Sequence, residues 1–249
     1  MIGALILAGS PNTGPLAAAS QEAWEALIPV NGRPMIAYVM DALAGAGRLA
    51  QTVVVGPEEL RGRTGGDVSL APPGPGLMSV LAAAMDRFAG MERVLIATSD
   101  IPMLTAGAVT AFLDACGDMG RDIYYPVVTS RCIEERYPGC KRTYIPFREG
   151  VFTGGNLFLV NPAVMARCAE KGQIFLEARK SPLKLSRLVG WTFLVRFLLH
   201  LVSLREAETR MTRLLGVTGR VLVLDYPEIG VDVDKPDDLA LARRVLGGE

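Results

Sequence analysis

Met1–Leu16, which read MIGALILAGSPNTGPL, are the stretch that decides the fold. Ile2 and Ala4–Leu7 form a short apolar run, and a segment rich in Gly and Pro follows at residues 9–15. A short apolar run that ends in this way is typical of a buried strand entering a turn. Small residues after a strand let backbone N–H groups approach a ligand closely. The turn is therefore either a phosphate- or nucleotide-binding loop or an ordinary strand-to-helix connection.

The composition is that of a folded globular protein. Half of the 249 residues are hydrophobic, so the chain can bury a sizeable core. Its 26 basic and 26 acidic residues cancel, and we expect no nucleic-acid partner. Four scattered cysteines with a single histidine do not suit a zinc site. Reduced thiols and the absence of a signal-peptide pattern at the N-terminus predict a cytoplasmic protein.

Strand and helix patterns alternate along the chain. Apolar runs that predict strands lie at residues 52–55, 94–97, 123–128, 157–160 and 221–224. Helical patterns begin near Pro34, Leu77, Thr105, Pro162 and Asp237. This alternation predicts an α/β fold with a Rossmann-like, open, mostly parallel sheet and helices on both faces. We expect one domain over residues 1–249.

Two segments interrupt the alternation. The charged residues 131–150 are predicted to leave the sheet, and residues 179–216 are predicted to form a helical insertion. The most apolar part of this insertion, 188–204, is short for a membrane span and contains Arg196 and His200. We therefore expect no transmembrane segment. The segment should pack on the domain or at a homo-oligomer contact, with an interfacial membrane helix as the alternative.

Acidic residues that could carry chemistry occur at two places. Asp100 follows the predicted strand 94–97, whereas Asp232 and Asp234 precede the last helix. Ligands of open α/β sheets gather at the carboxyl ends of strands. Carboxylates from separate segments could hold Mg²⁺ together with a substrate phosphate. Each aspartate also has a structural alternative, as a turn residue or, for Asp234, as a helix N-cap.

Five ordered motifs resemble the MobA-like NTP transferase family, which includes molybdenum-cofactor nucleotidyltransferases and relatives that activate sugar phosphates. The motifs are Leu5–Gly9, Leu27–Met35, Ser99–Pro102, Gly154–Asn156 and Asp232–Leu239. The resemblance covers most of residues 1–160 and 217–246. It implies a sheet of the nucleotide-diphospho-sugar transferase type.

The resemblance also implies roles for individual residues. Nucleotide-binding positions would be Leu7, Ala8, Gly9, Ser10 and Ser99, with Gly74, Gly76 and Ser79 reaching the base. Asp100 would be catalytic and would hold Mg²⁺ with Asp232 and Asp234. Acceptor-binding positions would be Gly154, Gly155 and Asn156.

The implied reaction is Mg²⁺-dependent nucleotidyl transfer. A nucleoside triphosphate, CTP or GTP first of all, would be attacked at its α-phosphorus by a small phosphorylated acceptor, and pyrophosphate would leave. The protein would align the reactants and neutralise the developing charge.

The first motif departs from the family pattern. The family carries an Arg in the glycine-rich loop and a Lys just before the segment equivalent to Leu27. Residues 10–26 contain neither, and Glu22 and Glu25 stand there instead. Carboxylates would repel a polyphosphate, so cations from elsewhere would have to act.

We predict that Arg33 is catalytic and that Lys180 and Lys184 contact the acceptor. Lys141, Arg142, Arg179 and Arg187 are further candidates, although the basic cluster 179–187 could instead be a solvated helix face. Two other functions stay open. They are a glycosyltransferase-like nucleotide-sugar enzyme and a catalytically degenerate nucleotide-binding or regulatory protein.

Overall fold

A mixed β-sheet with helices on both faces organises the chain. The computed structural model describes residues 1–62, 69–71, 76–178 and 182–248. Within them, the first half of the sheet consists of the parallel strands β1 (Ile2–Leu7), β4 (Leu49–Val55), β5 (Ser69–Ala71) and β6 (Arg93–Thr98). Their spatial order is β5-β4-β1-β6. A separate small hairpin joins β2 (Pro29–Val30) to β3 (Arg33–Pro34).

The second half of the sheet mixes directions. β10 (Leu157–Val160) runs antiparallel between β6 and β7 (Ile123–Thr129). β7 pairs in parallel with β11 (Gly219–Val223) and antiparallel with β9 (Gly150–Gly154). The predicted α/β fold with an open, mostly parallel sheet is confirmed.

Helices cover both faces because the side chains of a strand point alternately to opposite sides. On one face Ile6 and Leu95 join a core with residues of α1 (Met35–Gly45), α3 (Ala106–Ala115) and α9 (Pro236–Gly247). On the other face Leu5 and Val94 pack in a core with residues of α2 (Leu77–Met85) and α5 (Pro162–Ala178). Two apolar faces explain why β1 and β6 are continuous apolar runs.

The charged segment 131–150 lies only partly outside the sheet, which corrects the prediction. α4 (Ser130–Arg136) begins it, but β8 (Ile145–Phe147) forms a sheet strand beside β9. This strand is three residues long and contains Pro146, so it has no recognisable local pattern. Its pairing with β9 creates it.

The segment 179–216 contains three helices within its described residues. They are α6 (Pro182–Val189), α7 (Trp191–Leu198) and α8 (Leu204–Leu215). Ser203 and Glu206 form a capping box at the start of α8. α7 buries Leu194 and sets Phe197 against Phe147, with ring centroids 5.9 Å apart. Among the described residues, no helix is both long and apolar enough to cross a membrane.

Candidate functional site

The carboxyl ends of β1 and β6 form the floor of the candidate site. Leu7 and Thr98 are paired residues of the two strands, so both chains leave the sheet side by side. The Ser99 amide donates to the Leu7 carbonyl at 3.1 Å, and the Ala8 amide donates to the Val55 carbonyl at 2.7 Å. The predicted nucleotide-binding residues Leu7, Ala8 and Ser99 therefore lie together at this edge.

Three carboxylates converge at the same edge. Asp100, Asp232 and Asp234 each contribute an oxygen, and these oxygens lie within 4.8 Å of one another. The Val233 amide donates to the Asp100 carbonyl at 2.8 Å. This hydrogen bond joins residues 229–238, which we call the late segment, to the end of β6. The structure brings the predicted metal ligands together, and hard carboxylate oxygens suit a divalent cation.

Asp100 has the most strongly shifted pKa of the three aspartates. Burial raises the pKa of its carboxyl from 3.8 to about 7, and the charges of Asp232 and Asp234 add to the rise. The Thr98 hydroxyl offsets part of this pKa rise but makes no well-formed hydrogen bond, and Asp100 Oδ1 is buried with no partner among the described residues. A buried carboxylate oxygen without a partner is costly, and a bound cation would relieve that cost.

Arg142 binds two carboxylates of the late segment. Its guanidinium donates to Asp232 and, at 2.5 Å, to Asp238, while its Nε contacts Cys140 Sγ at 3.3 Å. The other oxygen of Asp238 accepts the amides of Asp234 and Lys235 at 3.2 and 3.1 Å. Asp238 and Arg142 thus fix the turn that presents Asp232 and Asp234.

Hydrogen bonds between its two ends hold the loop after β1, residues 8–25, in a closed conformation. Asn12 donates its side-chain amide to the Ser20 and Glu22 carbonyls at 3.1 and 2.9 Å. The Glu25 amide donates to the Ser10 carbonyl at 3.1 Å. Within the described part of the chain, the amides of Gly9 and Ser10 donate to no backbone or side-chain group. Their N–H groups are thereby available to a ligand.

Glu25 adds a fourth carboxylate beside the cluster. It is half-buried, and burial, followed by the charge of Asp234, raises its pKa. Its Oε1 would lie 3.9 Å from a Cβ placed on Gly14, so the carboxylate is close to the loop. The predicted departure from the family is therefore visible as an accumulation of negative charge.

Gly154 and Gly155 occupy a crowded bend between β9 and β10. A Cβ on Gly154 would lie 1.8 Å from the Tyr125 hydroxyl oxygen, and one on Gly155 would lie 2.7 Å from Ile229 Cγ2. The Asn156 amide donates to the Ile229 carbonyl at 2.9 Å. Burial and the charge of Asp232 raise the Tyr125 pKa. The bend therefore connects the predicted acceptor residues to the late segment.

The structure describes some of the remaining predicted site residues and not others. Arg33 pairs with Asp41 at 2.8 Å and lies over the Tyr38 ring. Gly76 precedes α2, and its carbonyl accepts from the Ser79 hydroxyl at 2.8 Å. Gly74 and Lys180 lie outside the described residues, as does the side chain of Lys184 on α6. The catalytic and acceptor-binding roles of Arg33, Lys180 and Lys184 stay predictions.

Sequence reasoning did not single out Tyr125 or the role of Asp238. Asp238 stands at the third position of α9, where an acidic residue commonly accepts the free amides of the first turn. That signal was readable from the sequence. The position of Tyr125 beside Gly154 depends on strand pairing, and no local pattern predicts it.

Comparison with known proteins identifies the family of the chain. Residues 4–187 match the MobA-like NTP transferase domain. A hypothetical transferase structure from Thermus thermophilus is 40% identical, with 96% of this chain and all of that chain covered and a TM-score of 0.86. No curated protein matches the chain at a significant level.

More distant structures share the fold. A CMP:2-keto-3-deoxy-manno-octonic acid synthetase complexed with CTP is 14% identical, covers 99% of this chain and 98% of its own, and has a TM-score of 0.65. A 2-C-methyl-D-erythritol 4-phosphate cytidylyltransferase from Thermus thermophilus is 15% identical, with 98% of each chain covered and a TM-score of 0.54. The matched domain spans well over half of the sequence. The chain therefore belongs to the MobA-like NTP transferase family.

Proposed function

We propose that the chain is a Mg²⁺-dependent nucleotidyltransferase that joins the nucleoside monophosphate of a nucleoside triphosphate to a small phosphorylated acceptor. An acceptor oxygen would form a bond to the α-phosphorus, and the bond from the α-phosphorus to the bridging oxygen of the β-phosphate would break. Pyrophosphate would carry away the electron pair of that bond.

The convergence of Asp100, Asp232 and Asp234 at the carboxyl ends of β1 and β6 carries the proposal. The carboxylates come from segments more than 130 positions apart, and Arg142 and Asp238 hold the late segment in place. A merely structural role for Asp100 would leave its buried Oδ1 with a hydrogen-bond partner, and none exists among the described residues.

The donor set fits Mg²⁺. This cation is commonly bound through one or two carboxylates and substrate phosphates, and the half-buried Asp100 and Asp232 with the exposed Asp234 offer such a set. When bound, Mg²⁺ would supply the positive charge that neutralises the triphosphate and polarises the α-phosphate.

The chain's own groups would bind and orient the nucleotide. The Gly9 and Ser10 amides would donate to phosphate oxygens, and Gly154–Asn156 would align the acceptor. Arg142 would act as a positioning residue, since its guanidinium is engaged with Asp232 and Asp238. A catalytic role for Arg33 would require its exposed ion pair with Asp41 to open, and such pairs are weak.

CTP is the nucleotide to test first, followed by GTP. Two proteins with this fold carry CTP or a cytidylyl group in their names, which supports cytidine nucleotides without excluding others. The family resemblance also admits pterin, sugar-phosphate and alcohol-phosphate acceptors.

Pyrophosphate release tests the proposal. The protein, with Mg²⁺, is given each of the common nucleoside triphosphates against a panel of sugar phosphates, alcohol phosphates and pterin phosphates. We expect release with at least one pair, and a loss of at least about a hundredfold in Asp100→Asn. Asp114→Asn is the matched control, because Asp114 is an exposed aspartate of α3 paired with Arg48.

Thermal unfolding with Mg²⁺ and each nucleotide separates the alternatives. A larger stabilisation by a nucleotide sugar than by every triphosphate would replace the proposal with a glycosyltransferase-like function. Stabilisation by a triphosphate without pyrophosphate release across the panel would favour a degenerate binding protein. No stabilisation by any nucleotide would contradict all three.

A further inference from the structure

The outward side of α7 and the residues just after its end carry exposed apolar side chains. We name this surface the α7 patch and define it by five large side chains with their exposed fractions: Trp191 (66%), Val195 (36%), Leu198 (66%), Leu199 (61%) and Leu201 (50%). Positions 191, 195, 198 and 199 recur at the spacing of one helix face. Exposed apolar groups scattered singly need no explanation, whereas a contiguous patch of this kind marks an interaction surface.

The opposite side of the helix is already anchored. Leu194 is buried, Phe197 packs edge-on against Phe147, and the Arg210 guanidinium lies 5.8 Å from the centre of the Phe193 ring. These contacts fix the rotation of α7 about its axis. The α7 patch is therefore held outward and is not the core-facing side of the helix.

Charge identifies the kind of partner. Residues 179–216 contain eight Lys and Arg against two Glu, a net charge of +6 in a chain whose total is zero. Along the chain, Arg187 on α6 stands four positions before Trp191, and Arg205 on α8 stands four positions after Leu201; both are exposed, and neither forms an ion pair among the described residues. The two glutamates are engaged, Glu206 with Arg196 and Ser203, and Glu208 with the Val221 amide.

We propose that the α7 patch docks on the surface of an anionic lipid bilayer. Apolar side chains led by a Trp, with exposed arginines nearby in the sequence that have no ion pair among the described residues, are the features that place a helix in the headgroup region of such a surface. A second copy of the chain is disfavoured, because a two-fold contact would bring two segments of net charge +6 together. The docking is peripheral and does not depend on the proposed nucleotidyl transfer.

Vesicle cosedimentation tests the proposal with the full-length chain. Vesicles of phosphatidylcholine alone are compared with vesicles containing about 30% phosphatidylglycerol, at about 0.1 M and about 0.5 M salt. We expect the protein to sediment with the anionic vesicles at low salt and to be released at high salt. The Trp191 emission should shift to the blue on binding.

Two classes of variant separate the apolar and the charge contributions. Leu198→Ser with Leu199→Ser should lower the partition coefficient at least about tenfold. Arg187→Ala and Arg205→Ala should each lower it about fivefold. Val223→Ser, which replaces an exposed apolar side chain outside the patch at a 49% exposed position of β11, should leave binding unchanged.

Several results would overturn the proposal. The first is that the wild type does not sediment with anionic vesicles at low salt. The second is that the Leu198→Ser, Leu199→Ser double variant binds as strongly as the wild type. Light scattering that finds a dimer dissociated by the same double variant would instead make the patch an interface between copies. Unchanged thermal midpoints check the fold, and the arginine variants provide the test if the serine variants do not fold.

Discussion

The Arg142 guanidinium donates a hydrogen bond to the Asp238 carboxylate at 2.5 Å, and the two residues lie 96 positions apart. The same guanidinium pairs with Asp232, so one cation, 6% exposed, serves two carboxylates of the late segment. The loop before β8 therefore supplies the cation, Arg142, that holds Asp232 in the carboxylate cluster.

Arg142→Met should destabilise the protein by about 3–5 kcal/mol, because it leaves the buried Asp238 and the half-buried Asp232 without a cation. Urea unfolding without Mg²⁺ measures the change. Arg48→Met is the control, since it breaks the exposed pair with Asp114 and should cost at most about 1 kcal/mol. Adding Asp238→Asn to Arg142→Met should recover part of the loss. Equal costs for the two single variants would contradict the buried-pair assignment.

Asp100 predicts an unusual pH dependence of stability. Its folded pKa of about 7 exceeds the ordinary 3.8, so the folded state binds more protons between these values. The free energy of unfolding of the metal-free protein should therefore fall as pH rises from about 5 to about 8, by roughly 2–3 kcal/mol from this group. Burial also raises the pKa of Asp232 and Glu25, which act in the same direction.

Asp100→Asn isolates the contribution of that carboxyl. This variant should be more stable than the wild type near pH 8 without metal and should lose the difference near pH 5, in parallel urea titrations. Mg²⁺ should stabilise the wild type more at the higher pH, because it competes with the proton. A wild type and variant with the same pH profile would refute the raised pKa.

Gly154→Ala should disturb the bend between β9 and β10 because its Cβ would lie 1.8 Å from the Tyr125 hydroxyl oxygen. We expect a loss of about 1–3 kcal/mol in unfolding free energy. Tyr125→Phe in the same chain should restore most of it, since the nearest remaining ring atom is 3.0 Å away. No rescue by Tyr125→Phe would show that another contact limits this position.

Local patterns were sufficient for the parts of the fold that depend on local physics. The apolar β1 and β6 and the beginning of α3 after Thr105 lie where the sequence predicts them. β8 was missed because three residues with a proline have no strand signal of their own. The partners of Arg142 were not predictable, since they lie 90 and 96 positions away and meet it only through the sheet.

The position of Asp100 could be predicted because ligands of open α/β sheets gather at the carboxyl ends of strands. Its meeting with Asp232 and Asp234 was implied only by the resemblance to the family. The contribution of Glu25 could be anticipated only in part. Its charge was evident beside the missing cations, but its position near Asp234 depends on the closure of the loop by Asn12.

Glu25→Lys should change how nucleotide binding depends on Mg²⁺. In the wild type the loop offers N–H donors but no cation, and Glu25 and Asp234 repel a triphosphate, so CTP or GTP should bind only with Mg²⁺. A lysine at position 25 would neutralise Asp234 and place a cation beside the phosphates. Calorimetry with EDTA should then detect binding by Glu25→Lys that the wild type lacks. Glu22→Lys is the control, because it makes the same charge change in the same loop and should not restore binding. Nucleotide binding by the wild type in EDTA would mean that the missing cation is supplied elsewhere. Equal rescue by both variants would mean that the net charge of the loop, and not position 25, controls binding.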